Sequence, residues 1–356
     1  MVGAGGNGGD GATEASGATE IASSQKPQRP QKPQRPQKPQ KLQKPQKPQR
    51  PQEPHLPQPP LTIIMTGDIL LDRGVRRAIE RHGADHLFSS GVDSVLRTAQ
   101  VVVGNLECPA TKTVAPVFKR FIFRAEPEWL SVLQRHGFTH LNLANNHSID
   151  QGRAGLLDTQ RNIERAGMTA VGAGETMAEA AKPVLLATVP RKVWLMTSLR
   201  LALENYAYLP DKPCVSQEPI DSLLERVYRL RRADSTAVII VSLHWGGEHT
   251  LQPVALQRTD AHQLIQAGAD VMVCHHTHTL QTIETFRGKK IYYSIGNFIF
   301  DQPKPLNSRA AMVRINVSRD SLMVETVPVK IRQCVPYVEH ERGEWRRESG
   351  EVSGEW

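Results

Sequence analysis

The sequence predicts an α/β fold built on a largely parallel or mixed sheet. Three observations carry this. Short β-branched runs alternate with amphipathic stretches of helical period. Each run gives way to a polar loop before the next helix, the pattern of repeated strand–loop–helix units. The helical stretches stop at glycine, which accepts the left-handed backbone that ends a helix.

Taken in order, Leu61–Met65 is an expected strand that runs into Thr66-Gly67-Asp68. Val101–Val103 is a second, ending in Gly104-Asn105-Leu106-Glu107. A helix over Glu128–His136 is closed by Gly137, and strand His140–Leu143 leads to Ala144-Asn145-Asn146-His147. A helix over Gly155–Ala166 is closed by Gly167. Strand Ala237–Leu243 ends in His244-Trp245-Gly246, and helix Val254–Ala267 stops at Gly268. Strand Val271–Cys274 runs into His275-His276-Thr277-His278, and strand Lys290–Ser294 into Gly296-Asn297.

Composition bounds the rest. The chain has 356 residues, 39% hydrophobic and 22% charged, with a formal net charge of +8. These values suit a globular protein with low-complexity sequence attached and exclude a collagen, a coiled-coil rod or a disulfide-stapled miniprotein. No apolar run approaches the ~20 residues that span a bilayer. The N-terminus lacks a basic region followed by an apolar one, so no secretory signal is expected and the location is read as cytoplasmic or peripheral to a membrane. Four cysteines, Cys108, Cys214, Cys274 and Cys334, are scattered without a CxxC pair, against a disulfide framework or a thiolate zinc site.

Residues 1–60 carry nine basic and four acidic side chains, a net +5 that leaves only +3 for the remainder, so charge gives no reason to expect nucleic acid as a partner. Residues 1–24 are small and polar. From Gln25 to Pro60 the sequence repeats Gln-Lys/Arg-Pro with period three. Proline fixes φ near the polyproline II value, which stacks the cations along one edge of an extended, disordered-type tail. That tail is read either as a spacer or as a basic ribbon for an anionic polymer. The organisation is thus a tail over 1–60, one domain over 61–337 and a charged tail over 338–356.

In open α/β sheets ligands gather beyond the carboxyl ends of the strands. Five such ends here offer Asp68, Glu107, Asn146, His147, His244, His276 and His278. Carboxylate, amide oxygen and imidazole form a mixed N/O set suited to Mn, Zn or Fe, as one ion or two, rather than to calcium. Glu107 is the candidate bridge between two ions and His147 the candidate acid that protonates a leaving group. Ordinary alternatives stand beside each. Asp68 could be a turn or cap residue. Asn145-Asn146-His147 could be a left-handed turn, and His244 a core histidine. In an extended segment His276 and His278 share a face while His275 points away to the surface. Cys108 and Cys274 read as small buried hydrophobes. No dinucleotide, Walker A or serine-hydrolase motif occurs.

Six ordered blocks resemble one known family. They are Thr66-Gly67-Asp68, Gly104 to Thr111, Ala144 to Gly152, His244-Trp245-Gly246-Gly247-Glu248, Gly268-Ala269-Asp270 with the histidine cluster, and Ser294 to Asp301. The chain between about 62 and 333 is similar to CapA proteins of poly-γ-glutamate capsule biosynthesis, which resemble the calcineurin-like metallophosphoesterases. The resemblance implies a four-layer α-β-β-α sandwich of the metallo-dependent phosphatase type. It implies Asp68, Glu107, Asn146, His244, His276 and His278 as metal ligands and His147 as acid. The superfamily's histidine two residues after Asp68 is replaced, as in CapA proteins generally, because Ile69 and Leu70 follow. Three protein ligands plus water still hold a metal. Cys274 and Thr277 stand where CapA proteins commonly have Gly and Pro, and the stretch Arg191–Leu209 is unusual. The implied activity is metal-dependent hydrolysis of a phosphoester or a related amide or peptide bond. The alternative is a non-catalytic assembly or export subunit of the capsule synthesis machinery that binds anionic polymer.

Overall fold

The computed structural model describes residues 60–203 and 209–339. The expectations for the repeat tail before Pro60, for part of Arg191–Leu209 and for the charged end beyond Glu339 lie outside the described residues.

Parallel strands open the fold: β1 (Leu61–Ile69), β2 (Val101–Leu106), β3 (His140–Asn142) and β4 (Thr169–Val171). Between them run α1 (Arg73–His82), α2 (Ser90–Leu96), α3 (Leu130–Arg135) and α4 (Gly152–Arg165). A short β5 (Ala173–Gly174) and α5 (Met177–Ala180) precede a second sheet. That sheet begins with β6 (Val184–Ala187) and β7 (Val193–Leu199), after which β8 (Cys214–Val215) turns back to pair with β5. It continues through α6 (Ile220–Ala233), β9 (Val238–His244), α7 (Ala255–Ala267), β10 (Val271–Val273), β11 (Ile283–Phe286) and β12 (Lys289–Tyr292), in the spatial order β11-β12-β10-β9-β7-β6. The chain then returns to the first sheet. There β13 (Asn297–Ile299) runs parallel to the end of β1, and β14 (Arg309–Val317), β15 (Leu322–Arg332) and β16 (Val335–Val338) add antiparallel strands beyond it.

Side-chain alternation assigns the layers. In a strand successive residues point to opposite faces. Ile63 and Met65 of β1, Val101 and Val103 of β2, Val238 and Ile240 of β9, and Val271 and Val273 of β10 enter one common core. The intervening Ile64 and Val102 face a second core with Val75, Leu133 and Leu156 from the helices of the first sheet. Ile239, Val241 and Met272 face a third with Val227 and Leu264. Two sheets therefore meet face to face with helices outside, the four layers that the resemblance implied.

Element boundaries moved in physically sensible ways. The helix expected over Glu128–His136 opens as a 3-10 turn, Pro127–Trp129, before α3. Pro127 lacks the amide donor but suits the first turn. Gly137, Gly167 and Gly268 all take positive φ at helix ends, as expected. Strand β1 runs four residues past Met65, through Asp68, because Gly67 lets it lie against Gly296. A Cβ on Gly67 would sit 2.1 Å from the Gly296 carbonyl oxygen. That approach lets the Asp68 amide donate to the Gly296 carbonyl at 3.1 Å.

Candidate metal centre

The carboxyl ends of both sheets open onto one rim. From the first sheet come Asp68 on β1, Glu107 just beyond β2, and Asn146 and His147 beyond β3. From the second come His244 at the end of β9 and His276 and His278 beyond β10. Asp68 pairs in register with Asn105 on β2 and with Asn297 on β13.

Two groups of ligand atoms, each within 4.8 Å of one another, share Glu107: Glu107 with His244 and His276, and Glu107 with Asp68 and His278. His244 Nε2 lies 2.8 Å from Asn146 Oδ1, 3.1 Å from His276 Nδ1 and 3.5 Å from Glu107 Oε1. The Asn146 amide oxygen is an acceptor only, and Glu107 Oε1 is a second acceptor when its carboxyl is ionised. A single imidazole proton cannot satisfy this set, whereas a cation can. On the other side His278 Nδ1 lies 3.4 Å from Asp68 Oδ2 and 3.9 Å from Glu107 Oε2. Glu107 is fully buried, and among the described residues neither of its oxygens has a hydrogen-bond partner. An orphaned buried carboxylate is costly unless a counter-charge meets it. The donor set therefore fits one or two divalent transition metals.

Protonation follows the same geometry. Burial, then the neighbouring Asp68 charge, pushes the Glu107 carboxyl well above the usual range. Burial would also raise Asp68, but contacts from His275 and His278 overcome it and hold Asp68 well below that range. Burial works against a charged His278, yet Glu107 and Asp68 lift it to about 9. Burial and the positive charge of His278 bring His276 down to about 3, and burial with His276 lowers His244 well below its ordinary value. His147 is also lowered, by burial and by Lys119 against the pull of Asp150.

His147 is held apart from the ligand groups by its own frame. Its Nδ1 sits 2.8 Å from Asp150 Oδ2, and its ring lies tilted against Phe123 with centres 4.3 Å apart. Lys119 Nζ, almost fully buried, donates to Asp150 Oδ1 at 2.8 Å and to the Asn146 carbonyl at 2.9 Å. Asn145 Oδ1 accepts from the His147 and Ser148 amides at 3.1 and 2.9 Å, and its Nδ2 donates to the Leu106 carbonyl at 2.9 Å. The loop after β3 is thereby fastened to the end of β2. None of Asn145, Asn146 and His147 takes positive φ, so the left-handed-turn alternative falls. Asp68 lies within β1, and the cap of α1 is Asp72.

One expectation is corrected. His275 does not point to the surface. It is 2% exposed, with Nδ1 3.3 Å from Asp68 Oδ1. The alternation rule fails because the segment is not extended: His276 and His278 have φ of 97° and 57°. Ile69 and Leu70 turn into the helix-side core, and the ring of His275 meets Asp68 from the second sheet. The cysteine expectation holds in geometry. Cys108 and Cys274 are buried, and burial pushes the Cys274 thiol up to about 12, which keeps it protonated.

Several further side chains, not foreseen from the sequence, brace the centre. Asn105 Nδ2 reaches Asp68 Oδ1 at 2.7 Å and His244 Nδ1 at 3.3 Å, while its Oδ1 accepts from Asn142 at 2.9 Å. Asn297 Oδ1 lies 2.9 Å from His278 Nδ1. Asn105, Asp150 and Asn297 stood inside the motif blocks, so their position was a signal. Lys119 carried none.

A profile of the bacterial capsule synthesis protein PGA_cap matches residues 62–302, which contain every residue of this centre. The chain belongs to the PGA_cap family. It is 30% identical over 284 residues to the capsule biosynthesis protein CapA of Bacillus anthracis, covering 78% of this chain and 69% of that protein. It is 31% identical over 285 residues to the PGA biosynthesis protein CapA of Bacillus subtilis, covering 78% and 73%. Among solved structures it is similar to the NAD nucleotidase NadN of Haemophilus influenzae at a TM-score of 0.44 and 12% identity, over 80% of this chain and 53% of that one. In the PGA_cap chain described here, no helix among the described residues is long and apolar enough to cross a membrane.

Proposed function

We propose that this PGA_cap protein acts in poly-γ-glutamate capsule biosynthesis as a metal-dependent hydrolase of a phosphoester or a related amide bond. The observation that carries the reading is Glu107, fully buried with both oxygens unpartnered among the described residues, shared by two groups of imidazole and carboxylate side chains that could hold an ion. Glu107, Asn146, His244 and His276 would hold one ion, and Asp68, Glu107 and His278 a second. Such ions, when bound, polarise the scissile centre and lower the pKa of attacking water.

The chain's own residues supply the remainder. His147 is the proton donor to the leaving group, and Asp150 at 2.8 Å fixes its ring and its Nδ1 proton. Lys119 neutralises the far oxygen of Asp150 and ties it to the Asn146 backbone. Asn105 braces Asp68 Oδ1 and His244 Nδ1, the nitrogen opposite the Nε2 that faces Asn146 and Glu107, as outer partners of metal ligands do, while Asn297 Oδ1 shares the His278 Nδ1 that faces Asp68 and Glu107. Phe123, against His147, keeps water from that face of the acid.

The second reading, a binding subunit without turnover, draws on the subsite at Asp68, which has three protein ligands rather than four. One experiment separates the two. Elemental analysis should count one or two Mn, Zn or Fe per chain, and the Mn²⁺-loaded protein should hydrolyse a generic phosphodiester, with His147→Ala abolishing turnover. Metal uptake without turnover leaves the binding subunit. Turnover surviving His147→Ala removes the assigned acid.

A further inference from the structure

Arg73 has no part in the metal centre, yet its placement is unusual. It is the first residue of α1 and takes φ of 52°, a left-handed value that a β-carbon disfavours. Strained backbone persists only where the surroundings over-determine it, and functional sites are where it concentrates. Here three contacts fix it. The Arg73 amide donates to the Asp72 side chain at 2.8 Å. Its guanidinium pairs with Asp301, whose other oxygen accepts from the Gly74 amide at 2.9 Å. The guanidinium carbon also lies 5.1 Å from the Phe123 ring centre and 5.5 Å from that of Phe300.

Those two rings connect Arg73 to the site. Phe123 lies tilted against His147 with ring centres 4.3 Å apart, and Phe300 against His278 at 4.6 Å. One aromatic contact thus separates Arg73 from the acid, and one separates it from a ligand of the Asp68 subsite. The side chain retains 34% exposure, and among the described residues its buried Nε donates to nothing. Arginine presents five donors in a rigid fork that matches an oxyanion, and aromatic faces hold that fork flat. Asp301 occupies one edge and leaves the other for a ligand.

We propose that Arg73 is a specificity residue that binds an oxyanion of the substrate, carboxylate or phosphate, next to the group that the centre hydrolyses. This deepens the hydrolase reading and rests on it for the identity of the reacting group. Arg73 binds the neighbouring anion; it takes no part in proton transfer.

The test titrates the full-length chain with inorganic phosphate and with tri-γ-glutamate, by calorimetry, with and without Mn²⁺. Arg73→Ala is expected to weaken the bound anion by about tenfold or more, the worth of a charge-assisted bidentate contact. Mn²⁺ affinity should be unchanged, which a collapsed fold would not allow. Arg73→Gln keeps a planar amide if the alanine variant fails to fold, and Arg73→Lys should recover only part of the affinity. Dependence on Arg73 for phosphate alone assigns a phosphoester, and for tri-γ-glutamate alone a polycarboxylate chain. Wild-type affinity for both anions in the alanine or glutamine variant overturns the proposal, as does a wild-type chain that takes up neither. A chain that binds anion through Arg73 but no metal sinks the hydrolase reading and leaves Arg73 standing.

Discussion

Glu107→Gln tests the metal centre through stability rather than turnover. In the metal-free protein Glu107 is a buried carboxyl with no donor among the described residues, facing Asp68 and pushed far up in pKa. Gln has the same shape and no charge. An unsatisfied buried polar group costs about 1–3 kcal/mol. Glu107 must take up a proton to be neutral there, whereas Gln is neutral at every pH and its Nε2 brings a donor for the acceptor oxygens of Asp68 and Asn146, so the exchange should recover a comparable amount above neutral pH. For a domain of this size ~1 kcal/mol moves Tm by roughly 2–4 °C, so the metal-free variant should melt several degrees above metal-free wild type. Adding Mn²⁺ should reverse the order. Wild type gains about 2.7 kcal/mol at a hundredfold excess over Kd, whereas the variant, lacking the shared ligand, gains little. Differential scanning calorimetry with EDTA and with Mn²⁺ reads both halves. A variant that melts lower than wild type in EDTA, or one that keeps the full Mn²⁺ increment, would falsify the assignment of Glu107.

Three further outcomes follow from the same geometry. His278 is raised from 6.5 to about 9 by Glu107 and Asp68 against burial, so its contribution is whole below pH 6.5 and lost as pH climbs through 9; metal-free protein should lose thermal stability across that window, and pH-independent melting would contradict the ion pair. Burial lowers His140 from 6.5 to about 4, so the fold favours its neutral form and stability should fall on acidification through that interval, by on the order of 1–3 kcal/mol, with His140→Gln flattening the slope in denaturant titrations. Lys119→Met should destabilise by roughly 3–5 kcal/mol, because it strands the buried Asp150 carboxylate, and Asp150→Asn in the same chain should return much of that loss in urea unfolding.

Much of this was written in the sequence, and the exceptions have causes. Strands buried on both faces announce themselves as apolar runs, which is why β2, β9 and β10 were legible. The residues that meet at the candidate centre were legible because polar side chains immediately after such runs have few structural reasons to be there. Helices α1 and α6 were passed over because their core-facing stripes reduce to Val75 with Ile79 and to Leu223 with Val227, thin signals among many arginines. His275 was misplaced because a period-two rule was applied to a segment that two left-handed histidines break. Lys119 was invisible for a different reason. It sits among Val114, Phe118, Phe121 and Ile122, all exposed, and nothing local distinguishes a lysine that turns inward.

The rim that joins the two sheets has a consequence for how the molecule matures. The carboxylates and amide of the candidate centre lie on one half and the imidazoles on the other, across residues as distant in the chain as Asp68 and His278. Each half offers only part of the candidate set. If the centre takes an ion, the complete set exists only in chains whose halves have already docked, and a chelator added during refolding should trap an assembled apo form rather than an unfolded one.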